Sequence, residues 1–153
     1  MPTLLLQTKI NADINKVFDL ARSVEAHVES TPTTHEQAVG GKTSGLLVLG
    51  DLVTWRAKHF GVWQELTVKM TEFQRPDFFA DEMLKGAFRS MRHVHRFSQE
   101  GSVTTMTDEF EFQAPFGFLG RVAEILFLTS YMRRFLKERA MALRAAAEAN
   151  PEA

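Results

Sequence analysis

Apolar and polar positions alternate with a period of two over most of the chain and change to a helical period near its end. Over residues 3–11, Leu4, Leu6 and Thr8 alternate with Leu5, Gln7 and Lys9, which predicts a short opening strand. Asp13 can cap a short helix with an apolar face of Val17, Phe18, Leu20 and Ala21, and a second helical turn over 24–29 stops before Pro32. From 34 to 113 the pattern is that of strands, with Gly40, Gly41 and Gly45 punctuating the first turn. Residues 52–59 and 62–73 read as a hairpin around Phe60-Gly61, and Arg75-Pro76-Asp77 makes the next corner. Strands over 78–84, 90–97 and 103–113 follow, separated by Lys85-Gly86 and Glu100-Gly101.

Pro115 and Gly117 close the last strand, and one long helix is predicted over 119–149. Val122, Ile125, Leu126, Thr129, Met132, Phe135, Leu136 and Leu143 recur at helical spacing, with Phe127, Leu128 and Tyr131 widening the face. Its Ala-, Arg- and Glu-rich second half is expected to run along the rim into solvent. The order is β-α-α-β-β-β-β-β-β-α, an α+β domain spanning 1–153 in which a long antiparallel sheet wraps a C-terminal helix.

The same alternation sorts the strands by face. Val53, Trp55, Ala57 and His59 share one side of the third strand, and Leu66, Val68 and Met70 one side of the fourth. Phe79, Asp81 and Met83 align on the fifth, His93, His95 and Phe97 on the sixth, and Met106, Asp108, Phe110 and Phe112 on the seventh. If the apolar-bearing faces point inward, Asp81, His93, His95 and Asp108 go with them. A buried carboxylate is costly unless paired, and a neighbouring imidazolium is the natural partner.

Composition sharpens this picture. Thirteen Phe against one Tyr and two Trp imply a large, partly aromatic interior with few polar handles. Lys plus Arg (18) nearly cancels Asp plus Glu (19), which argues against nucleic acid as a partner. The absence of cysteine excludes disulfides, thiolate zinc sites and thiol nucleophiles. No basic segment leading into a long apolar core is found over 1–13, and runs such as Ile125-Leu126-Phe127-Leu128 are far short of a membrane span. A cytoplasmic location is expected, with no integral membrane segment; a homodimer is left open. There is no nucleophile elbow and no H-E-x-x-H, and the segment Gly40-Gly41-Lys42-Thr43-Ser44-Gly45 lacks the spacing and the following helix of a phosphate loop.

More particular residues carry a resemblance. They run Gly50-Asp51-x-Val53-x-Trp55-Arg56-Ala57, His59-Phe60-Gly61, and Phe79-x-Asp81-x-Met83 with Gly86 and Phe88. They continue through His93-x-His95-x-Phe97 and Met106-x-Asp108 to Pro115-x-Gly117-x-Leu119-Gly120. Over about residues 4–139 this resembles the START/birch-pollen-allergen-like (SRPBCC) superfamily, in its bacterial polyketide cyclase/dehydrase-like or cell-division-inhibitor-like branch. The resemblance implies a helix-grip fold, a curved sheet gripping the last helix around a cavity. It implies no single reaction, since relatives bind lipids, hormones, quinones or polyketides and a few are enzymes.

The cavity is expected to be lined by Trp55, His59, Phe79, Asp81, Met83, Phe88, His93, His95, Phe97, Met106, Asp108, Phe110, Leu128 and Met132, and to hold a small hydrophobic ligand. Three uses of the His/Asp cluster compete: a self-satisfied network fixing strand register, a polar anchor for a ligand, or catalysis. For the last, His93 or His95 would exchange a proton while Asp81 or Asp108 orients it. His-x-His near carboxylates also admits a metal, but no metal or cofactor is expected. Trp63 falls on the opposite parity and is placed at the cavity mouth. His27 and His35 are expected to be exposed, and Arg133, Arg134, Lys137 and Arg139 to form a solvated basic face, with an anionic membrane or an acidic partner as the alternative. A binding or carrier domain is the leading reading; a cyclase- or dehydratase-type enzyme and a protein-interaction domain are the alternatives.

Overall fold

In the computed structural model, which describes residues 2–149, the elements follow the predicted order. Strand β1 (Thr3–Ile10) leads to α1 (Ile14–Ala21) and α2 (Val24–Glu29). Asp13 caps α1 by accepting from the Asn15 N–H, and Ser23 caps α2 by accepting from that of Ala26. Strands β2 (Gln37–Gly41), β3 (Leu52–His59), β4 (Val62–Gln74), β5 (Phe78–Lys85), β6 (Ser90–Glu100) and β7 (Val103–Gln113) follow. They form one seven-stranded antiparallel sheet in the order β1-β7-β6-β5-β4-β3-β2. Register shifts between Thr67 and Val68 and between Met70 and Glu72 bend the long β4, as bulges do. The sheet curves around the C-terminal helix, which makes this a helix-grip fold. Met1 and residues 150–153 of the expected domain lie outside the described residues.

The C-terminal helix differs from its expected form. It starts at Gly117 and runs as α3 (Gly117–Ala123), a π-helical turn (Glu124–Leu128) and α4 (Thr129–Ala149). The wider turn keeps Gly120, Glu124, Leu128 and Met132, each four residues apart, on the inner line. Val122, Ile125 and Leu126, expected inside at a regular helical period, are therefore exposed. Glu124 is buried and accepts from the Ala114 N–H at 2.8 Å, tying the helix to the end of β7. The second half is not a solvated projection: Ala140, Leu143 and Ala147 are buried against α1 and β1, and Glu148 accepts from the Asn11 N–H at 2.8 Å. Small alanines let the helix approach closely where the composition alone suggested solvent.

Two apolar clusters divide the interior. One, at the α1 end, centres on Phe18, whose ring meets those of Phe73, Phe79 and Phe97 edge-on at centroid distances of 5.2–5.5 Å. The other gathers Leu4, Val53, Trp55, Val68, Phe110, Phe112, Met132 and Leu136 toward the opposite end.

Candidate functional site

Between the sheet and the C-terminal helix lies a cavity of about 610 Å³. Alternate residues of β3 (Val53, Trp55, Ala57, His59), of β4 (Leu66, Val68, Met70) and of β5 and β6 (Phe79, Asp81, His93, His95) form its wall. The helix contributes Met132, Phe135, Leu136 and Arg139, and its first turns roof the opening with Leu119, Gly120, Ala123 and Phe127. Gly120 is required there: a Cβ would sit 1.8 Å from the Pro115 carbonyl oxygen. Just before it, Phe116 adopts the left-handed region at φ 69°, a conformation that costs a bulky residue about 1–3 kcal/mol.

The ladder registers bring four ionisable side chains together. His95 lies opposite Asp108 on β7 and Phe79 on β5, and His93 opposite Asp81. The Nδ1 of His95 is 3.2 Å from Asp108 Oδ1 and its Nε2 is 3.4 Å from Asp81 Oδ2, so one ring bridges two carboxylates. The Nε2 of His93 is 2.9 Å from the same Asp108 oxygen. The two imidazoles stack at 3.8 Å, and Phe79 covers the other face of His95 at 4.3 Å.

Burial strips these charges of water, and the outcome depends on the partners. For His93, burial and the neighbouring His95 push the pKa down to about 4, so the ring is neutral near pH 7. For His95, burial opposes the charge but Asp108 and Asp81 outweigh it, so its pKa is raised. Burial also works against ionised Asp108 and Asp81, yet the hydrogen bonds and charge of the histidines hold both below the usual carboxylate range. Asp81, His93 and His95 have donor atoms within 4.8 Å of one another, close enough for one metal ion. Both ring nitrogens of His95 are already engaged by carboxylates, however, and an ion would have to displace the Asp81 contact.

Other polar groups reach the cavity from elements that the alternation did not single out. His27, on α2, is half-buried, not exposed as expected: it stacks on Trp55 at 3.8 Å and its Nε2 lies 2.6 Å from Glu36 Oε1. Burial and the charge of Arg139 lower the pKa of His27; burial opposes ionisation of Glu36, but His27 and Arg139 keep it low. His59 Nδ1 is 2.6 Å from the Tyr131 hydroxyl, and burial lowers the pKa of His59 while raising that of Tyr131. Arg139 also lines the cavity instead of standing on the solvated face expected for it, and its buried Nε has no acceptor among the described residues. Helical spacing held the signal: Arg139 is three residues from Leu136 and one before Ala140, and His27 is three from Val24. Nothing in the pattern marked Glu36.

Of the residues expected at the site, Trp55, His59, Phe79, Asp81, Phe88, His93, His95, Phe110, Leu128 and Met132 line the cavity. Met83, Phe97, Met106 and Asp108 do not. Met83 lies against Gly86 at the β5–β6 turn, and Phe97 and Met106 belong to the Phe18 cluster farther along the sheet. Asp108 sits behind the two histidines. His35 is exposed as expected; Trp63, expected at the cavity mouth, is exposed without lining the cavity, and its ring carries the Arg56 guanidinium at 4.5 Å.

No protein-family model matches the chain, and no curated protein does. Solved structures match over nearly its full length. TTHA0849 from Thermus thermophilus superposes with a TM-score of 0.80 at 15% identity, over 97% of this chain and 98% of that one. Protein Ms6760 from Mycobacterium smegmatis gives 0.72 at 15% identity, over 97% and 92%. The ginseng major latex-like protein 151 from Panax ginseng gives 0.69 at 17%, over 95% and 97%. At these identities the likeness is one of fold alone: the chain shares the helix-grip architecture of these structures.

Proposed function

We propose that this chain binds and carries a small molecule with a mainly apolar body, of lipid-, quinone- or aromatic polyketide-like shape. The observation that carries this reading is the cavity itself. Its volume of about 610 Å³ falls within the range of about 300–1,000 Å³ usual for small-molecule pockets, and most of its lining residues are apolar. Burial of the ligand's apolar surface, worth about 25 cal/mol per Å², supplies most of the affinity. Polar contacts set the orientation.

Arg139 is the group that receives an oxygen of the ligand. His95 has both nitrogens on carboxylates and both ring faces covered, whereas the buried Arg139 Nε has no acceptor among the described residues. Catalysis by the His/Asp cluster has no comparable support, because those four side chains are engaged with one another.

The test is a thermal-shift and fluorescence screen of fatty acids, quinones and aromatic polyketides, with Trp55 in the cavity wall as the reporter. At a hundredfold excess over its dissociation constant, a ligand adds about 2.7 kcal/mol of stability. That corresponds to about 5–11 °C for a protein of this size. Arg139→Met weakens oxygen-bearing ligands about tenfold, the loss expected of a hydrogen bond to a charged group, and spares pure hydrocarbons. No shift from any class, with no molecule co-purifying in native mass spectrometry, overturns the reading.

A further inference from the structure

The strand directions bring four connections to one end of the sheet: the α2–β2 connection, the β3–β4 turn, the β5–β6 turn, and the passage from β7 through α3 into the π-helical turn. This end bears most of the large exposed apolar side chains. Phe116 is 82% exposed, Phe118 79%, Ile125 75% and Leu126 70%, with Phe60, Val62 and Leu84 beside them at 58%. The two sides of the opening touch through Phe60, whose ring lies 6.1 Å from that of Phe127 and 4.4 Å from that of Tyr131. A cluster of this kind on a monomer's surface marks a place that meets something apolar.

The charges at the same end are mostly basic, with Glu65 beside the β5–β6 turn and Glu29 at the end of α2 as exposed exceptions. The β3–β4, β5–β6 and β7–α3 passages carry Lys58, Lys85, Arg89 and Arg121, and the start of α4 adds Arg133 and Arg134. Through residues 57–64, 84–90 and 114–134 there is a single carboxylate, Glu124, which is buried and bonded to the Ala114 N–H. A chain of nearly balanced charge has thus set its cations around its exposed apolar side chains. A second copy of the chain is a poor occupant, because a two-fold interface would press this basic rim against itself. An apolar centre ringed by cations matches instead the acyl region and the anionic headgroups of a bilayer surface.

We propose that this end of the molecule docks on an anionic membrane surface, with Phe118, Ile125 and Leu126 entering the headgroup–acyl boundary. The cavity opening, flanked by Phe60, Phe116 and Phe127, then faces the lipid. Docking does not depend on the ligand reading, since Phe118, Ile125 and Leu126 face away from the cavity.

Flotation of the purified, ligand-free chain with vesicles tests it directly. Vesicles of phosphatidylcholine mixed with phosphatidylserine in equal parts should carry the protein up the gradient at low salt, and vesicles of phosphatidylcholine alone should not. Arg89→Gln or Arg121→Gln should each weaken partitioning about fivefold. Phe118→Ser combined with Leu126→Ser should abolish it while the circular dichroism spectrum stays unchanged. Failure to float with the mixed vesicles overturns the proposal, as does equal, salt-insensitive flotation with neutral ones. So does a dimer in light scattering that the Phe118 and Leu126 substitutions dissolve, since the face would then be covered by a second copy.

Discussion

Replacing Asp108 with asparagine keeps the shape of a buried side chain and removes one charge from beneath two imidazoles. Asp108 is 6% exposed and takes hydrogen bonds from His93 and His95 without lining the cavity, so the change tests the network apart from any ligand. Removing one member of a buried ion pair costs about 3–5 kcal/mol, and the retained Asp81 contact to His95 places the expected loss near the lower end, about 3 kcal/mol. That lowers the midpoint of thermal unfolding by about 6–12 °C. The loss also depends on pH. The raised pKa of His95 contributes stability that is fully present below its unfolded value and disappears as pH rises through the folded one. The Asp108→Asn substitution removes much of what raises it, so the deficit should be largest on the acid side of neutrality and narrow as pH rises. Urea unfolding at about pH 6, 7 and 9 measures both, and the Cε1–H resonances of the two histidines follow their titration. A deficit below about 1 kcal/mol, or one that does not change with pH, would refute the paired assignment of His95 and Asp108.

Acidification should destabilise the wild type as pH falls from about 6.5 toward 4, because neutral His93 must stay unprotonated in the folded state while the unfolded chain takes up a proton. Its share is on the order of 3 kcal/mol, and His27 and His59, lowered in the same direction, add to it; equilibrium unfolding at stepped pH should show the decline. Phe18→Ala should cost about 3–5 kcal/mol in urea, since the ring is fully buried among three aromatic partners, and a cost under about 1 kcal/mol would contradict that packing. Gly120→Ala should loosen the roof over the cavity through its clash with the Pro115 carbonyl, seen as faster amide exchange over residues 117–128 with β6 and β7 unaffected.

The strands were legible because each buries one face: the bounds of β3 and β7 and the inward parity of Trp55, Phe79, His95 and Phe110 all follow from simple alternation. The C-terminal helix was less so, for two physical reasons. A periodicity reading assumes regular helical turns, and the π-helical turn shifts the buried line onto Gly120, Glu124 and Leu128, leaving Ile125 and Leu126 outside. Composition treats alanine and arginine as surface residues, yet Ala140 and Ala147 pack tightly and Arg139 turns its head into the cavity. Glu36 precedes a short strand in an irregular stretch, where neither period applies and only the folded chain brings it to His27.

The division of the interior into two apolar clusters bears on how such a protein can diverge. Phe18, Phe97 and Met106 are buried and take no part in the cavity wall, so a change of volume there meets the full cost of a void or an overlap. Val53, Met91 and Met132 have neighbours on one side and open space on the other. Enlarging or trimming them reshapes the chamber with little strain on the frame. Sequences built on this plan can therefore change the shape of the chamber at small thermodynamic cost, keeping one end of the molecule nearly fixed while the other drifts.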